Sequence, residues 1–216
     1  MSVLQDLRVM EMLASRICHD IISPVGAINN GVELMQEMGA QVGEEAVKLI
    51  GHSAEQASRR LKLFRLCYGS AGSDTNLTVD DVLMSCRDYL SGSRVTLAWD
   101  SGEVKKIPGQ PRGTAKVLLN LAIIAAESMV HGGLIEVKAE AESPQFRLIA
   151  NGRGAGLRTD AWAPLAGEVA IDDLTAKSIH PHITGRFADH YGLTIGHAQP
   201  QDDRLELTLA FTPVVA

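Results

Sequence analysis

His19 is followed directly by Asp20, and Pro24 stands five positions after the histidine. Neutral imidazole at pH 7 is a good nucleophile and a good leaving group toward phosphorus, so a histidine suits reversible phosphoryl passage. The neighbouring carboxylate can orient the ring or accept a proton from it. Pro24 has no N–H to give to the carbonyl of Asp20, and proline inside a helix costs about 3 kcal/mol relative to alanine. A proline one turn after His-Asp therefore asks for an explanation.

The elements that position these residues can be read from periodicity. Between Val3 and Met38, Met10, Ala14, Ile17, Ile21, Pro24, Ile28, Gly31 and Met35 recur in steps of three and four, which predicts one long helix. From Glu44 to Tyr68 a second series, Val47, Ile50, Ala54, Ala57, Leu61, Phe64 and Tyr68, predicts its return partner, with Gly39 and Gly43 marking the turn. Glu44 and Glu45 suit the positive end of that helix and Arg59, Arg60, Lys62 and Arg65 its negative end; this basic run reads mainly as a solvated helix end, with attraction of an acidic partner as the second reading. Two helices cannot enclose a core, and Cys18, Ile22, Val25 and Val32 extend the apolar surface beyond one seam. A second copy is therefore expected to complete a dimeric four-helix bundle.

At 100° per residue, His19 lies about 200° from both Ile17 and Ile21, pointing away from the seam. Met12, Arg16, Ser23, Gly26 and Asn30 share its face, within roughly 60°. Ser23 and Gly26 keep that face low, and Arg16 could meet phosphoryl or acidic charge. The five are the candidate docking residues for a globular partner.

Gly69 to Asp74 is small, polar and aperiodic, and reads as a linker. The chain then divides into residues 1–70 (helical hairpin), 71–75 (linker) and 76–216 (second domain). Thr78-Val-Asp-Asp81 resembles a capping box opening a helix to Leu90, and Arg94 to Asp100 alternates as a strand. A helix from Pro111 to about Val130 follows. Hairpin strands flank Ser143-Pro144, a helix runs from Ala176 to Tyr191 with Gly192 as its cap, and two last strands cover Leu193 to Ala198 and Arg204 to Thr212. The order αβαββαββ predicts an α+β layer of helices on a mostly antiparallel sheet.

Composition narrows the partners. With 20 basic and 26 acidic residues, a formal charge of -6, the chain lacks the cationic footprint that nucleic acid selects. Three scattered cysteines, Cys18, Cys67 and Cys86, suggest neither disulfides nor zinc and fit the cytoplasm. No apolar run is long enough for a membrane span. His180, His182 and His190 read as a surface pattern interrupted by Pro181, not as metal ligands.

Leu13 to Val25, with His19, Asp20 and Pro24 in place, resembles the H-box of histidine kinases, and its continuation Gly26-Ala-Ile-Asn-Asn-Gly31-Val-Glu-Leu34 is closer to the ChpT-type histidine phosphotransferases of alphaproteobacteria. The resemblance implies that His19 is phosphorylated on its distal ring nitrogen, with Asp20 as its acidic neighbour. Ser23 stands where related kinases often place a Thr or Asn that aids phosphatase chemistry. It further implies a histidine-kinase-like ATPase fold for the second domain, but the nucleotide residues of that fold are missing. Asn120-Leu-Ala-Ile-Ile124-Ala125 has Ile124 where the kinases place a magnesium-binding Asn, and isoleucine offers no oxygen ligand. Gly152-Arg-Gly-Ala-Gly156 lacks the Asp that reads adenine and is read as a vestigial loop. Lys177 to Thr184 lacks the glycines of a phosphate lid.

The implied protein is a dimeric histidine phosphotransfer protein. It would shuttle a phosphoryl group between aspartates of response-regulator receiver domains and bind no cofactor itself, with Mg2+ supplied on the receiver. The alternatives are an ATP-dependent histidine kinase with a divergent site and a receiver-binding scaffold without chemistry.

Overall fold

The computed structural model describes residues 3–38, 43–74, 76–105, 107, 109–140 and 142–212. The two expected helices are α1 (Val3–Met38) and α2 (Gly43–Cys67). Gly39 lies outside the described residues, and Gly43 is the first residue of α2. The helices are antiparallel: Gly31 meets Ala46 and Ile50, while Asp20, nearer the start of α1, meets Arg60, farther along α2. A methyl added at Gly31 would lie 2.6 Å from Ile50 Cγ1, inside normal carbon contact, so this glycine permits the close approach.

The inward face of α2 differs from the expected one. Ala46, Ser53, Ala57 and Phe64 are buried, whereas Val47, Ala54 and Leu61 are exposed. On α1, Pro24 and Gly31 are buried, but Met10, Ala14 and Met35 of the expected seam are exposed along with Ile22, Val25 and Val32. Each helix carries two adjacent apolar stripes with the same spacing, and contact, not period, selects the one that is covered.

The expected linker is packed. Ser70–Ser73 form a 3-10 turn, and the Lys116 ammonium donates to the Gly69 carbonyl at 2.8 Å. Gly72 is buried so closely against the end of α2 that a methyl there would overlap the Leu66 carbonyl oxygen. The reason is continuity of the core. Leu63, Leu66 and Cys67 at the end of α2 pack with the second domain, leaving no open span for a tether to cross. Thr75 lies outside the described residues.

The second domain runs α3 (Val79–Leu90), β1 (Val95–Trp99), α4 (Ser101–Val104), α5 (Thr114–Glu127), β2 (Gly133–Glu140), β3 (Gln145–Asn151), α6 (Thr159–Leu165), α7 (Ile179–Tyr191), β4 (Thr194–Gln201) and β5 (Arg204–Ala210). The main order is the expected one, and the architecture is α+β. The short helices α4 and α6 were not signalled, since a turn or two displays too little periodicity to read. The capping box is formed: Asp81 N–H donates to Thr78 Oγ1 at 3.2 Å, and Thr78 N–H to Asp81 Oδ2 at 3.0 Å. The helix expected from Pro111 begins instead at Thr114, after Gly113 at φ 84°.

The sheet order is β1-β2-β3-β5-β4, with β1 and β2 parallel and the other neighbours antiparallel. Ile135, Val137, Phe146, Leu148, Ala150, Leu205, Leu207 and Leu209 form its buried face, and the register pairs them across strands, Val137 with Leu148 and Leu148 with Leu207. On the other face Arg147 bonds Glu140 and Glu206 at 2.9 and 2.6 Å. Helix α5 is buried on all sides from Thr114 to Ala125, as a central helix apolar all round must be.

Candidate functional site

His19 stands on α1 with its side chain 88% exposed, pointing off the hairpin as its helical phase requires. Its Nδ1 lies 3.3 Å from Asp20 Oδ1. An ionised carboxylate only accepts, so this contact pairs with the tautomer carrying Nδ1–H and leaves the Nε2 lone pair directed outward. Pro24 is buried, and the carbonyl it leaves without a helical donor is occupied: Arg60 Nη1 donates to the oxygen of Asp20. The basic run is thus more than a solvated helix end. Arg60 crosses to α1, and Arg59 pairs with Glu55 at 2.5 Å, while Lys62 and Arg65 remain exposed.

The five residues expected to share the His19 face divide at the histidine. Ser23 and Asn30 are exposed, and a methyl added at Gly26 would meet nothing within 4 Å, so the surface beyond His19 is open and low. Met12 and Arg16 are turned onto the second domain instead. Met12 packs with Val9 and Leu13 against Ile171, Leu174, Ile179 and Ile183. Arg16 pairs with Glu127 at the end of α5, its side chain only 14% exposed. Arg8 adds donations to the carbonyls of Ile171 and Asp172 at 3.3 and 2.8 Å. The chain between α6 and α7 thus crosses the first half of α1 and stops short of His19. Burial pushes the Glu127 carboxyl up from its ordinary range, against the opposing pull of Arg16.

Between α5 and α7, polar side chains are engaged with one another. Asn120 is fully buried, and its Nδ2 donates to the carbonyls of Cys67 at 3.2 Å and Lys116 at 2.8 Å. Its Oδ1 therefore faces His180 Nε2, 2.9 Å away, which donates to it. His180 is also fully buried, with Tyr68 edge-on at 5.8 Å. Burial, reinforced by the charge of Arg16, holds its pKa well below the usual imidazole value.

His182 is buried as well, so the surface reading of this pair is corrected; His190 remains exposed. Pro181 lies in the first turn of α7, where a missing N–H removes no helical bond, so the helix continues through it and packs against α5 and α1. The stretch expected as a lid without glycines is this packed helical start. Ile124 is buried in α5. In the Gly152 loop, the N–H groups of Gly152 and Gly154 bond the carbonyl of Asp203 at 3.0 Å and its carboxylate at 2.6 Å, so an internal turn takes what a phosphate would need.

Arg60, Glu127 and the structural role of His180 were missed from the sequence. Only Arg60 had a signal, the donor demanded by the open Asp20 carbonyl.

The family described as histidine phosphotransferase C-terminal domain matches residues 79–203. The chain is 34% identical over 195 residues to the protein phosphotransferase ChpT of Brucella abortus (strain 2308), across 88% of this chain and 90% of that protein. A solved structure of a bacterial phosphotransferase, 27% identical, superposes with a TM-score of 0.76 over 97% of each chain. The histidine kinase AdeS of Acinetobacter baumannii, 13% identical, superposes with a TM-score of 0.47 over 90% of this chain and 98% of that one.

Proposed function

The chain belongs to the histidine phosphotransferase family, and from that premise we propose that His19 is the residue that carries the phosphoryl group between response-regulator receiver domains. The observation that carries this reading is the exposed imidazole with Nδ1 against Asp20, on the open side of α1 at the point where the second domain ends. Nε2 attacks the phosphorus of a receiver aspartyl phosphate. The N–P bond forms as the O–P bond breaks, and the receiver carboxylate leaves with its electron pair. Donation to the next receiver is the reverse, with a carboxylate oxygen attacking and Nε2 leaving. Catalysis is mainly positioning, and the receiver supplies magnesium and the reacting carboxylate. Ser23, Gly26 and Asn30 form the low docking surface, bounded on one side by the second domain.

The residues between α5 and α7 do not fit Mg-ATP. Ile124 offers no ligand, and both polar atoms of Asn120 are held by internal partners. This supports a protein source for the phosphate, with no cofactor bound by this chain. Residues 1–70 are read as the phosphotransfer and dimerisation unit and 76–216 as the kinase-like domain packed onto it. A second copy is proposed to cover the exposed stripes that include Ile22, Val25 and Val32 on α1 and Val47 and Leu61 on α2, completing a four-helix bundle. No described helix is long and apolar enough to cross a membrane, and a cytoplasmic location is proposed from the three free cysteines.

The test is incubation with a panel of phosphorylated receivers, following acid-labile label. Wild-type chain should take label from a receiver and pass it to a second, and His19→Ala should take none. Self-labelling of His19 from Mg-ATP, or signalling that survives His19→Ala, would overturn the proposal.

A further inference from the structure

We propose that Arg60 is a positioning residue for phosphoryl transfer: its guanidinium replaces the helical N–H that Pro24 lacks and thereby sets the turn presenting His19. This rests on His19 being the phosphoryl carrier.

In an unbroken helix the carbonyl of residue 20 would accept from the N–H of residue 24. Pro24 cannot supply it, so the turn that follows His19 and Asp20 lacks one of its own backbone ties. Arg60 donates to that carbonyl from the other helix. It is half-buried, and Ala57 and Phe64, one turn before and after it, are buried and hold this part of α2 in place.

The chain of contacts is continuous. Arg60 holds the Asp20 carbonyl, the Asp20 carboxylate meets His19 Nδ1, and the ring orientation sets the direction of the Nε2 lone pair. A cationic donor to a carbonyl is stronger than the amide bond it replaces. In-line transfer to a receiver demands placement of the reacting nitrogen to within a fraction of an ångström, so loss of this tie lowers the transfer rate even with His19 and Asp20 intact.

The discriminating experiment is a double-mutant cycle between Arg60 and Pro24 in the full chain. It uses single-turnover transfer from a phosphorylated receiver over a range of receiver concentrations. Arg60→Ala should lower the limiting transfer rate about tenfold while leaving the half-saturating receiver concentration unchanged, and Arg60→Lys, which keeps a cationic donor, should recover part of the loss. Pro24→Ala restores the helical N–H, so in that background removing Arg60 should cost less than about twofold.

An equal loss in both backgrounds, a loss confined to the half-saturating concentration, or no loss at all would overturn the proposal. The first two outcomes would place Arg60 in contact with the receiver, not with the turn. Circular dichroism checks folding, and if Arg60→Ala unfolds, Arg60→Gln in both backgrounds completes the cycle. His19→Ala in the same assay keeps the two claims apart: label that persists there refutes His19 as carrier, whatever Arg60 does.

Discussion

Asp20 makes two contacts at the level of single residues, since its carboxylate meets His19 Nδ1 and its carbonyl receives Arg60. Asp20→Ala should lower the rate of phosphoryl transfer about ten- to hundredfold without abolishing labelling, because the nucleophile remains while its tautomer and orientation are released. Rapid-quench transfer measurements would show it, and an unchanged rate would remove Asp20 from the site. Asn120 is a different case. Asn120→Leu leaves the Cys67 carbonyl and His180 Nε2 without their partner, and should cost about 2–4 kcal/mol in urea unfolding with little direct effect on the chemistry at His19.

His180 ties that network to pH. Its neutral form is held in the fold and its pKa is well below 6.5, whereas in the unfolded chain it binds a proton near 6.5. Below that pH the unfolded state therefore holds the extra proton and stability falls as pH is lowered. The slope approaches about 1.4 kcal/mol per pH unit until the folded pKa is reached, with no contribution to the pH dependence well above 6.5. His182, shifted in the same direction by burial and by Arg186, adds to the loss. Urea unfolding at pH 7.5 and 5.5 measures this, and His180→Asn should flatten the difference.

Among the elements, the hairpin depends on the close crossing at Gly31, where a side chain would have to displace Ile50. Gly31→Leu is expected to destabilise the chain by about 1–3 kcal/mol through overpacking, despite adding helix propensity. Thermal unfolding checks it, and a gain in stability would mean that α2 can retreat without loss. The periodicity of α1 and α2 showed that both helices exist and which way His19 faces. It did not distinguish Ala46 and Ser53 from Val47 and Ala54, because stripes one residue apart have the same spacing. The linker was misread for a related reason: Gly69 to Asp74 has the composition of a flexible tether, and only the shared packing of Leu66, Cys67 and the second domain makes it rigid.

For the molecule as a whole, the proposed dimer rests on the exposed apolar stripes of α1 and α2. Val25→Asp together with Leu61→Asp should convert a dimer to a monomer in sedimentation analysis, since each charge would need burial against apolar surface. A wild-type chain that is monomeric at micromolar concentration would overturn the four-helix bundle.

The sequence by itself determined the main order of elements, the outward direction of His19 and the capping box at Thr78. These are local, written in spacing or in one side chain's chemistry. Tertiary structure alone decided that Arg60 occupies the Asp20 carbonyl, that Arg16 serves Glu127 and not a docking face, and that His180 is buried on Asn120. Those contacts join residues far apart in the chain, and they follow from which of several equivalent surfaces pack together. At His19 the two meet: helical phase aims the imidazole outward, and the packed second domain leaves open only the part of that face that begins with it.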